Sequence, residues 1–88
     1  MMRHIRFTPE AWAQYTWWQG QARKTLRRIN DLIEAVAREP FAGIGKPEAL
    51  RGSLSGFWSR RIDTAHRLVY CTDENSITVI ACRYHYGE

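Results

Sequence analysis

The chain has 88 residues, of which 44% are hydrophobic, 25% charged and 12% aromatic, and its formal net charge is +4. This length predicts a single domain, 1–88, and the composition is typical of a globular protein. The chain has no run of about 18 apolar residues that would span a bilayer and no signal-peptide stretch, so we expect no membrane association and a cytoplasmic location. The positive charge would attract polyanions such as nucleic acid, the ribosome or an acidic protein.

Two helices are predicted in the first half of the chain. A short strand, His4–Phe7, is followed by Thr8, which is a favoured residue type at a helix N-cap. Apolar residues then recur every three or four positions as far as Gly20, and a second stripe of the same period fills residues 21–38. Pro40 ends the second helix. The short connection predicts that the two helices pack antiparallel.

The second half of the chain predicts an antiparallel sheet. Residues 41–47 contain glycine and proline without a helical or strand period, which indicates a loop. Three β-rich runs follow, separated by polar turns, and they are Phe57–Ile62, His66–Cys71 and Ile77–Tyr86. We therefore expect an α+β fold in which an N-terminal strand and a helical hairpin accompany a mostly antiparallel sheet. The hairpin would cover one face and leave the other face free for function.

The two cysteines, Cys71 and Cys82, show neither a metal-ligand spacing nor a CxxC motif. On adjacent strands of a hairpin their Cα atoms would lie roughly 15 Å apart, which is too far for a disulfide. We expect both to be reduced core residues. We also expect no metal site and no cofactor, because no cluster of ligand-type side chains is visible.

Two segments carry groups suited to acid-base chemistry. Glu48 follows Lys46 and Pro47 in the region that leads into the sheet. Near the other end, Arg83-Tyr84-His85-Tyr86 places a cation, an acid-base group and two phenols in four residues. An aromatic end tucked against the sheet would have the same composition, so these residues alone leave both interpretations open.

Cleavage of RNA by internal transfer would use such groups together. The 2′-hydroxyl attacks the adjacent phosphorus, so the reaction needs a base, an acid for the leaving 5′-oxygen, and cations for the phosphoryl oxygens. Glu48 would suit the base and His85 the acid. The cations would be Lys46, Arg61 and Arg67. Because RNA supplies its own nucleophile, no metal is obligatory.

Four strings of the sequence closely resemble the Txe/YoeB family of toxins, within the RelE/ParE superfamily. The strings are Lys46-Pro47-Glu48-Ala49-Leu50, Leu54-Ser55-Gly56-Phe57-Trp58-Ser59-Arg60-Arg61-Ile62, His66-Arg67-Leu68-Val69-Tyr70 and Ala81-Cys82-Arg83-Tyr84-His85-Tyr86. The resemblance is most specific from residue 41 to residue 86. It implies a helical hairpin packed on an antiparallel-rich sheet, which agrees with the periodicity.

The resemblance also implies a function. The protein would be the toxin of a type II toxin-antitoxin system, a ribosome-dependent endoribonuclease that cuts mRNA in the A site and inhibits translation. A cognate antitoxin of the Phd/YefM kind would hold it inactive, and operator DNA would be contacted only through that complex. The resemblance leaves a homodimer open.

Family motifs assign roles to individual residues. By resemblance, Glu48 is the general base, Arg67 contacts the phosphate, His85 is the general acid and Tyr86 is a positioning group. The supporting cations would be Lys46, Arg51, Arg61 and Arg83. Ala49 and Arg51 stand where the family pattern leads us to expect Pro and Lys, and Gly87-Glu88 extends past the usual aromatic end.

Two other functions are weighed against the nuclease. A ParE-like toxin would inhibit DNA gyrase without cutting RNA, but such proteins lack the combination of Glu48, Arg67 and His85. A plain RNA-binding module gives no reason for the Tyr-His-Tyr ending. The basic face of the second helix fits either solvent or ribosomal RNA. We expect the tryptophans to be core or interface residues, the other histidines, His4 and His66, to be structural, and two aspartates, Asp63 and Asp73, to hold turns.

Overall fold

The computed structural model describes residues 2–84, and the elements follow the predicted order of a strand, two helices and a run of strands. They are β1 (His4–Phe7), α1 (Pro9–Gln19), α2 (Arg23–Arg38), β2 (Glu48–Ala49), a 3₁₀ helix (Gly52–Leu54), β3 (Trp58–Arg61), β4 (Arg67–Thr72) and β5 (Ser76–Ala81). The strands form one sheet in the order β1-β5-β4-β3-β2. Only β1 and β5 pair in parallel among these strands, so the predicted α+β class and mostly antiparallel sheet are confirmed.

The cap of α1 and the buried face of α2 are as their sequences predict. The Thr8 side chain accepts a hydrogen bond from the backbone N–H of Ala11 at 3.1 Å, and so caps α1. The apolar stripe of α2 is buried and comprises Ile29, Leu32, Ile33, Val36 and Ala37. No helix within residues 2–84 is long and apolar enough to cross a membrane.

Strand pairing divides the sheet side chains between two faces. On β4, Leu68 and Tyr70 belong to the core cluster with the helices, as do Ile77 and Val79 on β5. The pairing of β4 with β5 shifts after Val69, so that Ile80 of β5 is passed over. The helices therefore cover one face, as predicted. The opposite face is not wholly open, because Val69 is also fully buried.

Both predicted turn aspartates hold turns. The Asp63 carboxylate accepts hydrogen bonds from the N–H groups of Ala65 and His66 between β3 and β4. The Asp73 carboxylate does the same for Asn75 and Ser76 between β4 and β5. These backbone hydrogen bonds hold the pKa of the Asp73 carboxyl below its usual value. The prediction that these residues have local structural roles is confirmed.

Three features of the secondary structure differ by more than one residue from those predicted. The second helix begins at Arg23 rather than at residue 21, and the two-residue strand Glu48–Ala49 was not predicted. The last strand was expected to run from Ile77 to Tyr86, but β5 ends at Ala81. The chain leaves strand geometry there, and Tyr84 has a φ of 64°. His85, Tyr86, Gly87 and Glu88 lie outside the described residues.

Both cysteines are unpaired, as predicted. Cys82 is fully buried in the core cluster, as predicted, whereas Cys71 is partly exposed, so the expected core position is wrong for Cys71. Cys71 lies on β4, where it pairs with Thr78 of β5.

Candidate active site

The strand register brings three of the predicted site residues to the face of the sheet opposite the helices. Ser59 of β3 pairs with Glu48 on one side and with Val69 on the other. Arg61, two residues beyond Ser59, pairs with Arg67 of β4. Because side chains alternate along a strand, Glu48, Arg61 and Arg67 project from the same face. Two strand spacings and a two-residue offset place the Cα atoms of Glu48 and Arg67 about 12 Å apart, a gap that their long side chains can bridge around a phosphate.

Arg67 is oriented by the turn that precedes it. One guanidinium nitrogen, Nη1, donates to the backbone oxygen of Asp63 at 2.8 Å and to that of His66 at 3.2 Å. The side chain is partly buried. These bonds use one end of the guanidinium, so Nε and Nη2 remain available to donate to an anion.

Arg61 is held by its backbone while its side chain is exposed. Its N–H donates to the backbone oxygen of Gly45 at 2.7 Å, and its carbonyl accepts from Arg28 of α2 at 3.0 Å. Gly45 has a φ of 87°, and a Cβ at this position would lie 2.8 Å from Leu32. Glycine is therefore required where the loop crosses α2, and the loop brings Lys46 close to Arg61.

Lys46 and Glu48 form the end of that loop. Lys46 has a φ of 54°, a left-handed conformation that lysine rarely adopts. Two residues later, Glu48 pairs with β3 at the edge of the sheet, with its side chain exposed. Arg51 is also exposed, just before the 3₁₀ helix. The structure thus brings Glu48 to the same face as Arg61 and Arg67, and it leaves Arg51 at the margin of this group.

Arg60 holds the loop that leads to the candidate site, a role that the sequence pattern did not reveal. Its side chain is fully buried, with no carboxylate beside it among residues 2–84. It donates instead to backbone oxygens of Glu39, Ala42 and Ile44 at 2.6–3.0 Å, and to the Tyr70 hydroxyl at 3.3 Å. These bonds fold residues 39–45 around the guanidinium, immediately before Lys46.

Strand alternation contained a signal for Arg60. Trp58, Arg60 and Ile62 share a parity, so Arg60 was the arginine directed toward the helices and Arg61 the one directed away. The Tyr70 hydroxyl lies beneath the same loop and donates to the Pro40 carbonyl. Burial raises the pKa of Tyr70, and the hydrogen bond and positive charge of Arg60 partly oppose this shift.

The segment Cys82–Tyr84 is the part of the family ending that the structure describes. Arg83 lies over the ring of Trp17, with its guanidinium carbon 3.5 Å from the ring centroid. The same carbon lies 4.8 Å from the centroid of the Tyr84 ring. Arg83, which the family resemblance gives as a supporting cation, therefore packs against two aromatic rings. His85 and Tyr86 are outside residues 2–84, so the structure does not place them relative to Glu48.

The charges on this face lack partners of opposite sign within residues 2–84. In that range the ion pair of an acidic with a basic side chain is Glu34–Arg38, on the exposed side of α2. Glu48, Arg61 and Arg67 therefore keep their charges available. In the same part of the chain, no three His, Cys, Asp or Glu side chains are grouped closely enough to hold a metal ion. The arrangement offers one carboxylate and two guanidinium groups on the same face of the sheet: the guanidinium groups can bind an anion, and the carboxylate can accept a proton.

Comparisons with known proteins agree with this architecture. Residues 7–86 match the family model described as the YoeB-like toxin of bacterial type II toxin-antitoxin systems. The chain is 53% identical over 85 residues to Toxin RelK from Mycobacterium tuberculosis, covering 97% of this chain and 100% of that protein.

Solved structures match it as well. A YoeB/ParE toxin from Agrobacterium tumefaciens superposes with a TM-score of 0.89 at 44% identity, over 94% of this chain and 99% of that one. YoeB from Staphylococcus aureus, solved as a dimer, gives a TM-score of 0.89 at 41% identity, over 98% and 100% of the two chains. The same toxin in a heterotetrameric complex with YefM gives 0.87, with the same identity and coverage. The chain therefore belongs to the YoeB-like toxin family of bacterial type II toxin-antitoxin systems.

Proposed function

We propose that this toxin is a ribosome-dependent endoribonuclease that cuts mRNA by metal-independent general acid-base transphosphorylation and so inhibits translation. The observation that carries the proposal is the shared face of Glu48, Arg61 and Arg67, a carboxylate and two cations without opposite charges beside them within residues 2–84. Exposed charges such as those of Glu48 and Arg61 contribute little to stability, so a functional role accounts for them better than a structural one.

The reaction has two proton transfers and one exchange of bonds at phosphorus. Glu48 takes the proton of the 2′-hydroxyl, and the resulting oxygen attacks the adjacent phosphorus. The bond from phosphorus to the 5′-oxygen breaks, and His85 donates a proton to that oxygen. Arg67 and Arg61 stabilise the extra negative charge on the non-bridging oxygens. The products are a 2′,3′-cyclic phosphate and a 5′-hydroxyl.

The remaining proposed groups support binding. Lys46 and Arg51 are exposed cations near Glu48, and a net charge of +4 favours the capture of RNA. Arg83 acts through its aromatic contacts with Trp17 and Tyr84, by helping to fix the segment that leads to His85. Tyr86 is proposed to position the scissile nucleotide.

Partners follow from the relatives and the charge. The toxin from Staphylococcus aureus forms a complex with YefM and has been solved as a dimer, so we propose a YefM-type antitoxin and a homodimer for this chain as well. The ribosomal A site and its mRNA would be the target, operator DNA would be bound only through the antitoxin complex, and the toxin would act in the cytoplasm.

The test of function is to map mRNA ends by primer extension after brief expression of the toxin in a bacterial cell. The nuclease predicts new 5′ ends inside the coding sequence of translated messages and none in untranslated ones. Intact mRNA together with halted replication would overturn the proposal and favour the ParE-like inhibition of gyrase.

A mutation series tests the proposed roles. Glu48→Gln, Arg67→Ala and His85→Gln should each lower mRNA cleavage by about 10²- to 10⁴-fold, the range expected for loss of an acid-base or charge-stabilising group. Each variant should melt within a few degrees of the parent, because each replaces a polar side chain that the proposal assigns to the reaction rather than to the core. Thermal melts and cleavage of ribosome-bound mRNA give the two measurements.

Glu34→Gln is the matched control, since it removes an exposed carboxylate on α2 and should leave cleavage unchanged. If all three site variants lost their fold, these groups would be structural and the assignment would be wrong.

A further inference from the structure

The chain that leaves β5 is held from one side by α1. The backbone N–H of Cys82 donates to the Gln14 side-chain oxygen at 2.7 Å, and its carbonyl accepts from the Trp18 indole N–H at 2.8 Å. Arg83 then lies on the ring of Trp17. Both polar backbone groups of Cys82 are thus bound to side chains of one helix, and this fixes the start of the terminal segment.

On the other side, His66 and Arg67 hold Tyr84 in the same way. The Tyr84 N–H donates to the Nδ1 of His66 at 2.6 Å, and the Tyr84 carbonyl accepts from the Arg67 N–H at 2.8 Å. The imidazole also packs against the Trp18 ring in a T-shaped arrangement, with the ring centroids 5.0 Å apart and an angle of 89° between the ring planes. The acceptor role requires the neutral imidazole with its proton on Nε2.

These two bonds act on a residue in an uncommon conformation. Tyr84 has a φ of 64°, a left-handed conformation that is unfavourable for a residue with a side chain. The two hydrogen bonds that Tyr84 makes with His66 and Arg67 can offset the free-energy cost of this conformation. Without the Nδ1 acceptor, Tyr84 would lose one of the two hydrogen bonds that hold this conformation, and its φ would relax toward a negative value.

We propose that His66 is a positioning residue for the proton donor His85, by holding Tyr84 through its Nδ1 in the left-handed conformation that sets the direction of the next residue. The inference rests on the proposed function, because it takes His85 as the donor. It goes beyond the sequence-based expectation that His66 is structural. His66 itself contacts no reacting atom and transfers no proton.

Two substitutions separate the acceptor from the ring. His66→Phe keeps a ring beside Trp18 but removes the acceptor. His66→Asn loses the ring but keeps an acceptor oxygen near the place of Nδ1. We expect His66→Phe to cleave ribosome-bound mRNA about 10- to 100-fold more slowly, the range expected when a reacting group is misplaced by about 1 Å. His66→Asn should stay within about threefold of the parent.

The decisive measurement uses mRNA in which sulphur replaces the bridging 5′-oxygen at the cut. A thiolate leaves without needing a proton, so the loss of a well-placed acid no longer matters. The rates of His66→Phe and His85→Gln should both return to near the parent rate on this substrate. Glu48→Gln should stay slow, since the 2′-hydroxyl proton must still be removed.

Amide hydrogen exchange gives a readout apart from catalysis. The Tyr84 N–H should exchange faster in His66→Phe than in the parent or in His66→Asn, while the amides of the β4–β5 pairs keep their protection. Equal Tyr84 exchange in all three proteins would overturn the inference.

Each kinetic failure points to a different error. If His66→Phe cleaves as fast as the parent, or stays slow on the sulphur substrate while His85→Gln is rescued, His66 does not act through the donor and the inference alone falls. If His85→Gln is not rescued, His85 is not the donor, and the proposed division of roles falls together with the inference.

Discussion

Two segments lead to the proposed proton-transfer groups, and they are held in opposite ways. Residues 39–45 precede Glu48 and wrap around the fully buried guanidinium of Arg60. Residues 82–84 precede His85 and are held by α1 side chains and by His66, which is partly exposed. A left-handed residue that is not glycine lies at the end of each segment: Lys46 directly follows the first, and Tyr84 is the last residue of the second.

The segment before Glu48 is held by a contact in the core, whereas the segment before His85 depends on a contact near the surface. The buried Arg60 guanidinium makes four hydrogen bonds, one to the Tyr70 hydroxyl and three to backbone oxygens of the loop. The Glu48 side therefore stays in place for as long as the protein is folded. The His66 contact lies at the surface, where local opening costs less than global unfolding. The side that leads to His85 can therefore loosen while the rest of the molecule stays intact.

The largest effect should come from breaking the Arg60 network. Arg60→Met leaves the carbonyls of residues 39, 42 and 44 without donors inside the protein, and we expect a loss of about 3–5 kcal/mol in the free energy of unfolding. Urea denaturation followed by tryptophan fluorescence would measure it.

Arg61→Met is the matched control for Arg60→Met. It removes a neighbouring arginine whose side chain is exposed, so it should change stability by under about 0.5 kcal/mol while lowering mRNA cleavage. Equal stability of the two variants would show that the buried network does not hold the loop.

These two arginines also show how far the sequence could lead. The sequence pattern predicted both helices, the cap of α1 at Thr8, the core stripe of α2 and a sheet covered on one face. These features depend on local conformational preference and on the burial of apolar side chains. Alternation could have told Arg60 from Arg61. It could not have shown that the loop carbonyls close around Arg60, because those contacts join residues about twenty positions apart.

The ends of strands were harder to predict, for a physical reason in each case. Glu48–Ala49 is too short to show an alternating pattern, and it exists because β3 offers it a partner. Residues 81–86 alternate as a strand would, but β5 skips Ile80 in its pairing and then meets the left-handed Tyr84. Family resemblance supplied the roles of Glu48, Arg67 and His85, which periodicity alone left open.

Alkaline pH should loosen the two regions at different points. Burial raises the pKa of Cys82, in the terminal segment, from 9.0 to about 12. Burial also raises the pKa of Tyr70, beneath the loop, above its usual 10.0. In both cases the folded state favours the neutral, protonated form. The resulting stability is fully present below the unfolded pKa and is lost as pH rises toward the folded pKa, from about 9 for Cys82 and about 10 for Tyr70.

Urea denaturation between pH 7 and pH 11 would test this order. Each group should contribute a fall of at most about 1.4 kcal/mol per pH unit once its window begins. Cys82→Ala should remove the part of the fall that begins near pH 9, and Tyr70→Phe the part that begins near pH 10. A Cys82→Ala protein that loses stability as steeply as the parent would contradict the buried-thiol explanation.

The smallest effect should come from relieving the left-handed residue of the loop. Lys46→Gly removes a backbone cost of about 1–2 kcal/mol, but glycine adds about 0.5–1 kcal/mol of unfolded-chain entropy, so the net gain in stability should be at most about 1.5 kcal/mol. Asparagine also tolerates the left-handed conformation, so the Lys46→Asn protein should be as stable as the Lys46→Gly protein or slightly more stable. Because both variants lose the same cation, their rates of mRNA cleavage should fall together and by less than the rate of Arg67→Ala. Thermal melts and cleavage rates of the two variants would separate the effect of the backbone from that of the charge. A glycine variant less stable than the parent would mean that the aliphatic part of the lysine side chain packs on the loop. Unequal cleavage rates would mean that the conformation of residue 46, rather than its charge, controls the placement of Glu48.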